Sequence, residues 1–293
     1  MAGKEGSLIF YWRFYKMADI FNQMLSRYEM RTKEERLNAL HEVMQQVAMA
    51  GLYRGGFFNH AAFYGGTCLR IFYGLPRFSE DMDFSLLKTN EKFSLENYFE
   101  NIIQEFNALG REVSISKKEK KTERVVESAF LKDNTDIYNL KFKTEKTVKI
   151  KIEVDRNPPL LFQTESKLLL HPFSFMTRCY TLPNLYAGKM HAMIYRKWRG
   201  RVKGRDWYDF EWYVRNGAKL NFDHFAERAA QSESIPRENI TKETFMQLLK
   251  EKISSTPINQ VKADVSRFLK NQQELEIWST DYFLQLADMV AFE

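Results

Sequence analysis

Apolar residues recur every three or four positions at Leu37, Leu40, Val43, Met44 and Val47. Thr32 and Glu35 stand in front of them at the spacing of a capping box. This predicts a helix after Arg31, with Gly51 as its stop. A second, short apolar run between Thr67 and Tyr73 follows Gly65-Gly66 and is closed by Pro76, so it reads as a short helix behind a glycine turn. The period then changes to two. Met82, Phe84 and Leu86 alternate with Asp81, Asp83 and Ser85, as on a strand with one apolar and one polar face. Leu95, Phe99, Ile102, Phe106 and Leu109 return to helical spacing, and Gly110 ends it.

From Arg111 to Asp155 alternation dominates, and VSIS, RVVESAFL, IYNLKF and TVKIKIEVD read as strands. The last is the clearest, with Val148, Ile150, Ile152 and Val154 on one face and Lys149, Lys151, Glu153 and Asp155 on the other. KKEKKTER (117–124) reads as a solvated turn between two of them. A further strand covers FSFMTRCY, and Pro183 opens a helix over PNLYAGKMHAMIYRKW. The basic linker RGRVKGR leads to a helix from Asp206 to Val214, stopped by Asn216-Gly217. Three or four helical patterns run to the end, among them Phe245/Leu248/Leu249/Ile253 and Val261/Val265/Phe268/Leu269. The predicted fold class is α/β (α+β): a mixed sheet flanked by helices, then an all-helical C-terminal domain. The expected domains are 17–200 and 201–293, with residues 1–16 an upstream extension ahead of Met17.

Composition adds bounds. The 293 residues are 44% hydrophobic, with 24 Phe and 14 Tyr, so a large aromatic core is available. The net charge of +6 permits an anionic partner without demanding one. Cys68 and Cys179 form neither a metal-type pair nor a disulfide framework, which fits a reducing, cytoplasmic setting. No apolar run approaches the roughly 18–20 residues that span a bilayer, and the N-terminal LIFYWRFY lacks the cleavage pattern of a signal peptide.

The chemistry gathers at two places. Asp81 and Asp83 share a strand face, where their repulsion calls for a cation or a proton between them. Glu153 and Asp155 repeat the arrangement, so neighbouring strands would bring three or four carboxylates together. Oxygen donors of this kind suit Mg²⁺ or Mn²⁺. Gly65, Gly66 and Thr67 open a helix, and glycines let backbone N–H groups approach an anion closely. Thr67 or Ser79 would donate a hydroxyl to a phosphate. Metal and phosphate turn together imply a nucleoside triphosphate. Lys189 lies in an apolar stripe between Leu185, Tyr186, Ala192 and Met193, which aims it inward or into a cleft. Asp206 and Asp209 stand in a first helical turn, where helix-dipole complementation would explain one of them. Either of these acids would salt-bridge to Lys189 or Arg77 when no nucleotide is bound, and Arg77 is otherwise a phosphate contact or a partner for Glu80. RKWRGRVKGR (196–205), with six basic residues and Trp198, reads equally as an RNA contact or a solvated linker.

A Gly-Gly turn, a short helix and Asp-x-Asp on a strand resemble the nucleotidyltransferase superfamily with the DNA polymerase β-like fold. AFYGGTCLRIFYGLPRFSEDMDFSLL is similar, more closely, to the AbiEii/AbiGii toxin family that includes the MenT toxins, with GKMHAM (188–193) and GRDWYDF (204–210) matching its later KxHA and RDxxD elements. The resemblance spans residues 55 to 215. It implies a metal-dependent nucleotidyltransferase toxin of a bacterial toxin–antitoxin or phage-defence pair, with a separate antitoxin protein and the 3′ end of tRNA as an acceptor. On that reading Asp81, Asp83 and Glu153 bind metal, with Asp155 the alternative to Glu153 as base. Gly65, Gly66, Thr67, Arg77 and Ser79 serve the nucleotide. Lys189 offsets charge, and Asp206 or Asp209 supplies an essential acid. The residues themselves do not show the acceptor; a protein or small-molecule target, and a binding module without catalysis, are the other readings.

Overall fold

The computed structural model describes residues 20–117, 135–142, 148–196 and 202–293. The N-terminal extension, most of the charged turn at 117–124, the RVVESAFL strand and Trp198 lie outside the described residues.

The first long helix, α1 (Lys33–Arg54), begins with the capping box expected of Thr32 and Glu35. It runs past Gly51 to Gly55. Gly51 is not a stop but a contact: a Cβ there would stand 2.5 Å from the Ile102 Cα of the helix α3 (Phe99–Ala108). Two helices thus meet backbone to backbone. Between them in the chain come β1 (Ala61–Tyr64), α2 (Gly65–Tyr73) and β2 (Asp81–Leu86). After α3 follow β3 (Val113–Lys117), β4 (Thr135–Phe142), β5 (Lys149–Asp155), β6 (Thr164–Leu169) and β7 (Phe175–Tyr180).

The seven strands form one mixed sheet in the order β3-β4-β5-β2-β1-β7-β6. β2 lies parallel to β5 and β1 parallel to β7; the other pairs are antiparallel. The alternation seen in the sequence becomes burial: Met82, Phe84, Ile150, Ile152 and Val154 are fully buried on one face. Phe57, Phe63 and Phe84 interlock there, Phe57 and Phe63 each at 5.0 Å from Phe84. The opposite face carries the acids.

The C-terminal part consists of α4 (Leu182–Tyr195), α5 (Gly204–Arg215), α6 (Phe222–Glu233), α7 (Lys242–Ser255), α8 (Ile258–Val265) and α9 (Thr280–Asp288). A pair of two-residue parallel strands, β8 (Lys219–Leu220) and β9 (Ala291–Phe292), joins the segment after α5 to residues 291–292. α6 lies over the acid-bearing face: the His224 ring meets Tyr180 edge-on and Gln231 donates to the Asn157 carbonyl. One hydrophobic cluster runs from Phe21 to Ala287 through sheet and helices. No helix among the described residues is long and apolar enough to cross a membrane.

Candidate active site

Two consequences of strand geometry build the site. Asp81 and Asp83 share a face because side chains alternate along β2. Parallel pairing with β5 then sets Asp83 beside Glu153, Asp81 beside Lys151 and Ser85 beside Asp155. On the other side Asp83 is paired with Tyr64, the last residue of β1. The chain turns there into α2. Gly65 has φ +79°, and a Cβ on it would collide with the Asp83 carboxylate. Gly66 lies under Ser79 and Arg77, with its ideal Cβ position 3.0 Å from Ser79 Oγ and 2.9 Å from Arg77 Nη2. The glycine turn and the acids are therefore one contiguous surface. No side chain caps α2, and its first turn holds no acid. Thr67 is fully buried, and its hydroxyl donates to the Asp81 carbonyl, pinning the helix to the start of β2.

Burial and the neighbouring Asp81 push the Asp83 carboxyl up to about 6, against the opposing pull of Lys203, Lys151 and Lys189. A divalent cation between the two carboxylates would remove that repulsion, so the donors fit Mg²⁺ or Mn²⁺. Among the described residues no group of three His, Cys, Asp or Glu side chains stands in a metal-holding arrangement. Glu153 is ion-paired with Lys151. Asp155 lies deeper. It is buried, accepts from the Asn157 N–H at 3.0 Å, and burial pushes its carboxyl up.

A ladder of charges faces these acids from the helices. Arg77, at 2% exposure, grips Asp209 through two bonds of 2.5 Å. Lys189 Nζ bridges Asp209 at 2.7 Å and Asp206 at 2.8 Å, and Arg196 reaches Asp206 at 3.2 Å. Burial by itself would raise both acids, but Lys189, Arg196 and Lys203 hold Asp206 well below the usual carboxylate range, and Arg77 and Lys189 hold Asp209 below it. These acids are more than helix-dipole partners. Asp206 alone lies in the first turn of α5, and Asp209 follows one turn later. Glu80 does not pair with Arg77; it faces Arg205 at 3.5 Å, because Asp209 has taken the guanidinium. Two residues were not assigned to the site from the sequence. Lys151, a register neighbour of Asp81, shares the acidic face. Lys203 acts on both Asp83 and Asp206, and burial brings its ammonium down to about 8. Lys151 was visible in the strand alternation, and Lys203 only as one of the six basic residues of RKWRGRVKGR, with nothing to aim it at the acids.

A mixed sheet with paired acids beside a glycine turn, backed by a helical C-terminal region, defines a nucleotidyltransferase fold. The structure resembles MenT4, a nucleotidyltransferase toxin of Mycobacterium tuberculosis, with 16% identity over 91% of this chain and 93% of that one and a TM-score of 0.53. It also matches JHP933 of Helicobacter pylori, at 17% identity, 86% and 90% coverage and a TM-score of 0.48. No curated protein matches the chain by sequence. The family model described as nucleotidyl transferase AbiEii toxin, type IV toxin–antitoxin system, matches residues 47–291. The chain belongs to the AbiEii nucleotidyltransferase toxin family. Its class of reaction is nucleotidyl transfer from a nucleoside triphosphate, and the family implies a cognate antitoxin.

Proposed function

We propose that this toxin transfers a nucleoside monophosphate from an NTP to the 3′-hydroxyl of an RNA, with the 3′ end of tRNA as the acceptor, in a cytoplasmic setting. The observation that carries the reading is the direct packing of Gly65 against Asp83. An uncapped helix start and a metal-type acid pair then meet the same triphosphate. Asp81, Asp83 and Glu153 would hold Mg²⁺ or Mn²⁺. When bound, that cation neutralises charge on the phosphates and at the α-phosphorus.

The protein's own groups do the rest. Backbone N–H groups of Gly65 and Gly66 take phosphate oxygens, and the Ser79 hydroxyl above Gly66 adds a donor. Thr67 fixes the turn through Asp81. Lys189 turns from its two acids to the triphosphate, while Arg77 keeps Asp209 in place. The acceptor oxygen attacks the α-phosphorus. The new O–P bond forms as the bond to the β-phosphate's bridging oxygen breaks, and pyrophosphate leaves with that oxygen. The hydroxyl proton passes to Glu153, which stands beside Asp83, rather than to the more deeply buried Asp155.

The test is incubation with Mg²⁺, each α-labelled NTP and total cellular RNA. Label is expected on RNA, and Asp81→Ala is expected to reduce its incorporation at least a hundredfold without lowering the melting temperature. Label on protein or small molecules alone would overturn the RNA reading.

A further inference from the structure

Beside the charge ladder, where the ends of the GKMHAM, RKWRGRVKGR and GRDWYDF segments meet two later helices, the C-terminal helices border a recess of about 280 Å³. It lies between the end of α4, the start of α5, the end of α7 and the start of α8. Met193 and Trp207 give it an apolar wall, and Thr256 and Gln260 bring polar groups. Lys203 and Lys252 line it with two ammonium groups. Asp206, the carboxylate lining it among the described residues, is already bonded to Lys189 and Arg196. Lys252 is oriented by a 3.4 Å bond to the Arg196 carbonyl. The volume suits one nucleoside-sized group, at the small end of ligand sites.

We infer that this recess binds the terminal nucleotide of the single-stranded RNA acceptor, with Lys203 and Lys252 on its phosphate and the base against the Met193–Trp207 wall. The inference rests on the RNA reading of the reaction given above. The charge distribution favours the acceptor over the base of the NTP. The NTP's phosphates are accounted for at the glycine turn and Lys189, and its base carries no charge for two ammonium groups to meet. A second phosphate-bearing ring does, and the acceptor's backbone supplies it. Asp206 is shared by the two places: it lines the recess and holds Lys189. Lys203, which lines the recess, also acts on Asp83, so a nucleotide held there stands on the helical side of the catalytic acids.

The experiment titrates total cellular RNA against a fixed labelled NTP using wild type, Lys252→Ala, the recess-filling Thr256→Trp, and Lys270→Ala as an exposed-lysine control. KM for RNA is expected to rise roughly tenfold or more in both recess variants, as for the loss of a charge-assisted contact. The NTP dissociation constant, measured by equilibrium binding, and the melting temperature stay at wild-type values. Lys252→Ala is also expected to flatten the dependence of log KM on log salt by about 0.7, the share of one single-strand phosphate contact. If RNA is labelled but neither variant changes its KM, or if NTP affinity falls in step, the recess assignment is wrong and the RNA reading survives. If wild type labels no RNA, both fall together.

Discussion

Asp83 holds an uncomfortable charge. Its carboxyl titrates near 6 because it is buried beside Asp81. A folded-state value above the unfolded one of about 3.9 means that the group favours folding fully below pH 4, and that this contribution is lost as the pH rises through 6. At pH 7 without divalent cation, Asp83→Asn is therefore expected to raise the melting temperature by one to a few degrees. Adding Mg²⁺ stabilises the wild type but not the variant, and a thermal-shift titration with and without the cation reads both effects. A variant no more stable than wild type in the cation-free protein would remove repulsion as the cause. Asp206 and Asp209 have the opposite sign. Their values are depressed, so their contribution is present at neutral pH and is lost as the pH falls through the folded values.

The glycine turn shows what an element adds to its residues. Gly65 and Gly66 are adjacent, yet each serves a different neighbour. An alanine at Gly65 has to adopt φ +79° and drive its Cβ into Asp83, whereas one at Gly66 meets only the side-chain ends of Arg77 and Ser79. Gly65→Ala is expected to abolish the Mg²⁺-induced thermal shift. Gly66→Ala keeps that shift but weakens NTP binding about tenfold or more, and cation and nucleotide titrations of the two variants separate them. Much of this element was legible beforehand: the alternation Asp81-Met82-Asp83-Phe84 fixes a face, and a glycine pair before a helical run marks a phosphate turn. β6 was not legible. Ser166 and Leu168 point out of an edge strand with little to cover them, so TESKLL shows no two-residue alternation of apolar and polar positions. Gly51 misled for a similar reason, since its purpose lies in Ile102 on another helix. The partners Arg77 and Asp209 are 132 positions apart; the sequence offers this pair among its alternatives, but no local pattern picks it over Glu80.

At the scale of the whole molecule that same pair joins the sheet-bearing part to the C-terminal helices. Arg77 precedes β2, and Asp209 sits on α5, with a hydrophobic cluster continuous through both regions. Calorimetry is expected to show one unfolding transition. Asp209→Ala strands a buried guanidinium and costs about 3–5 kcal/mol. It should lower that transition as a unit by several degrees rather than split it in two; two resolved peaks in the wild type would instead support separate domains. The long reach of the site has a further result in time rather than in space. Asp83 meets Glu153 only after β2 and β5 have paired as parallel strands, and Lys189 is held by acids on α5. Such non-local pairings form late and slowly. A growing chain therefore completes the charge ladder of the candidate site only once α5 has been made, so the site is assembled late in synthesis rather than as its acids emerge.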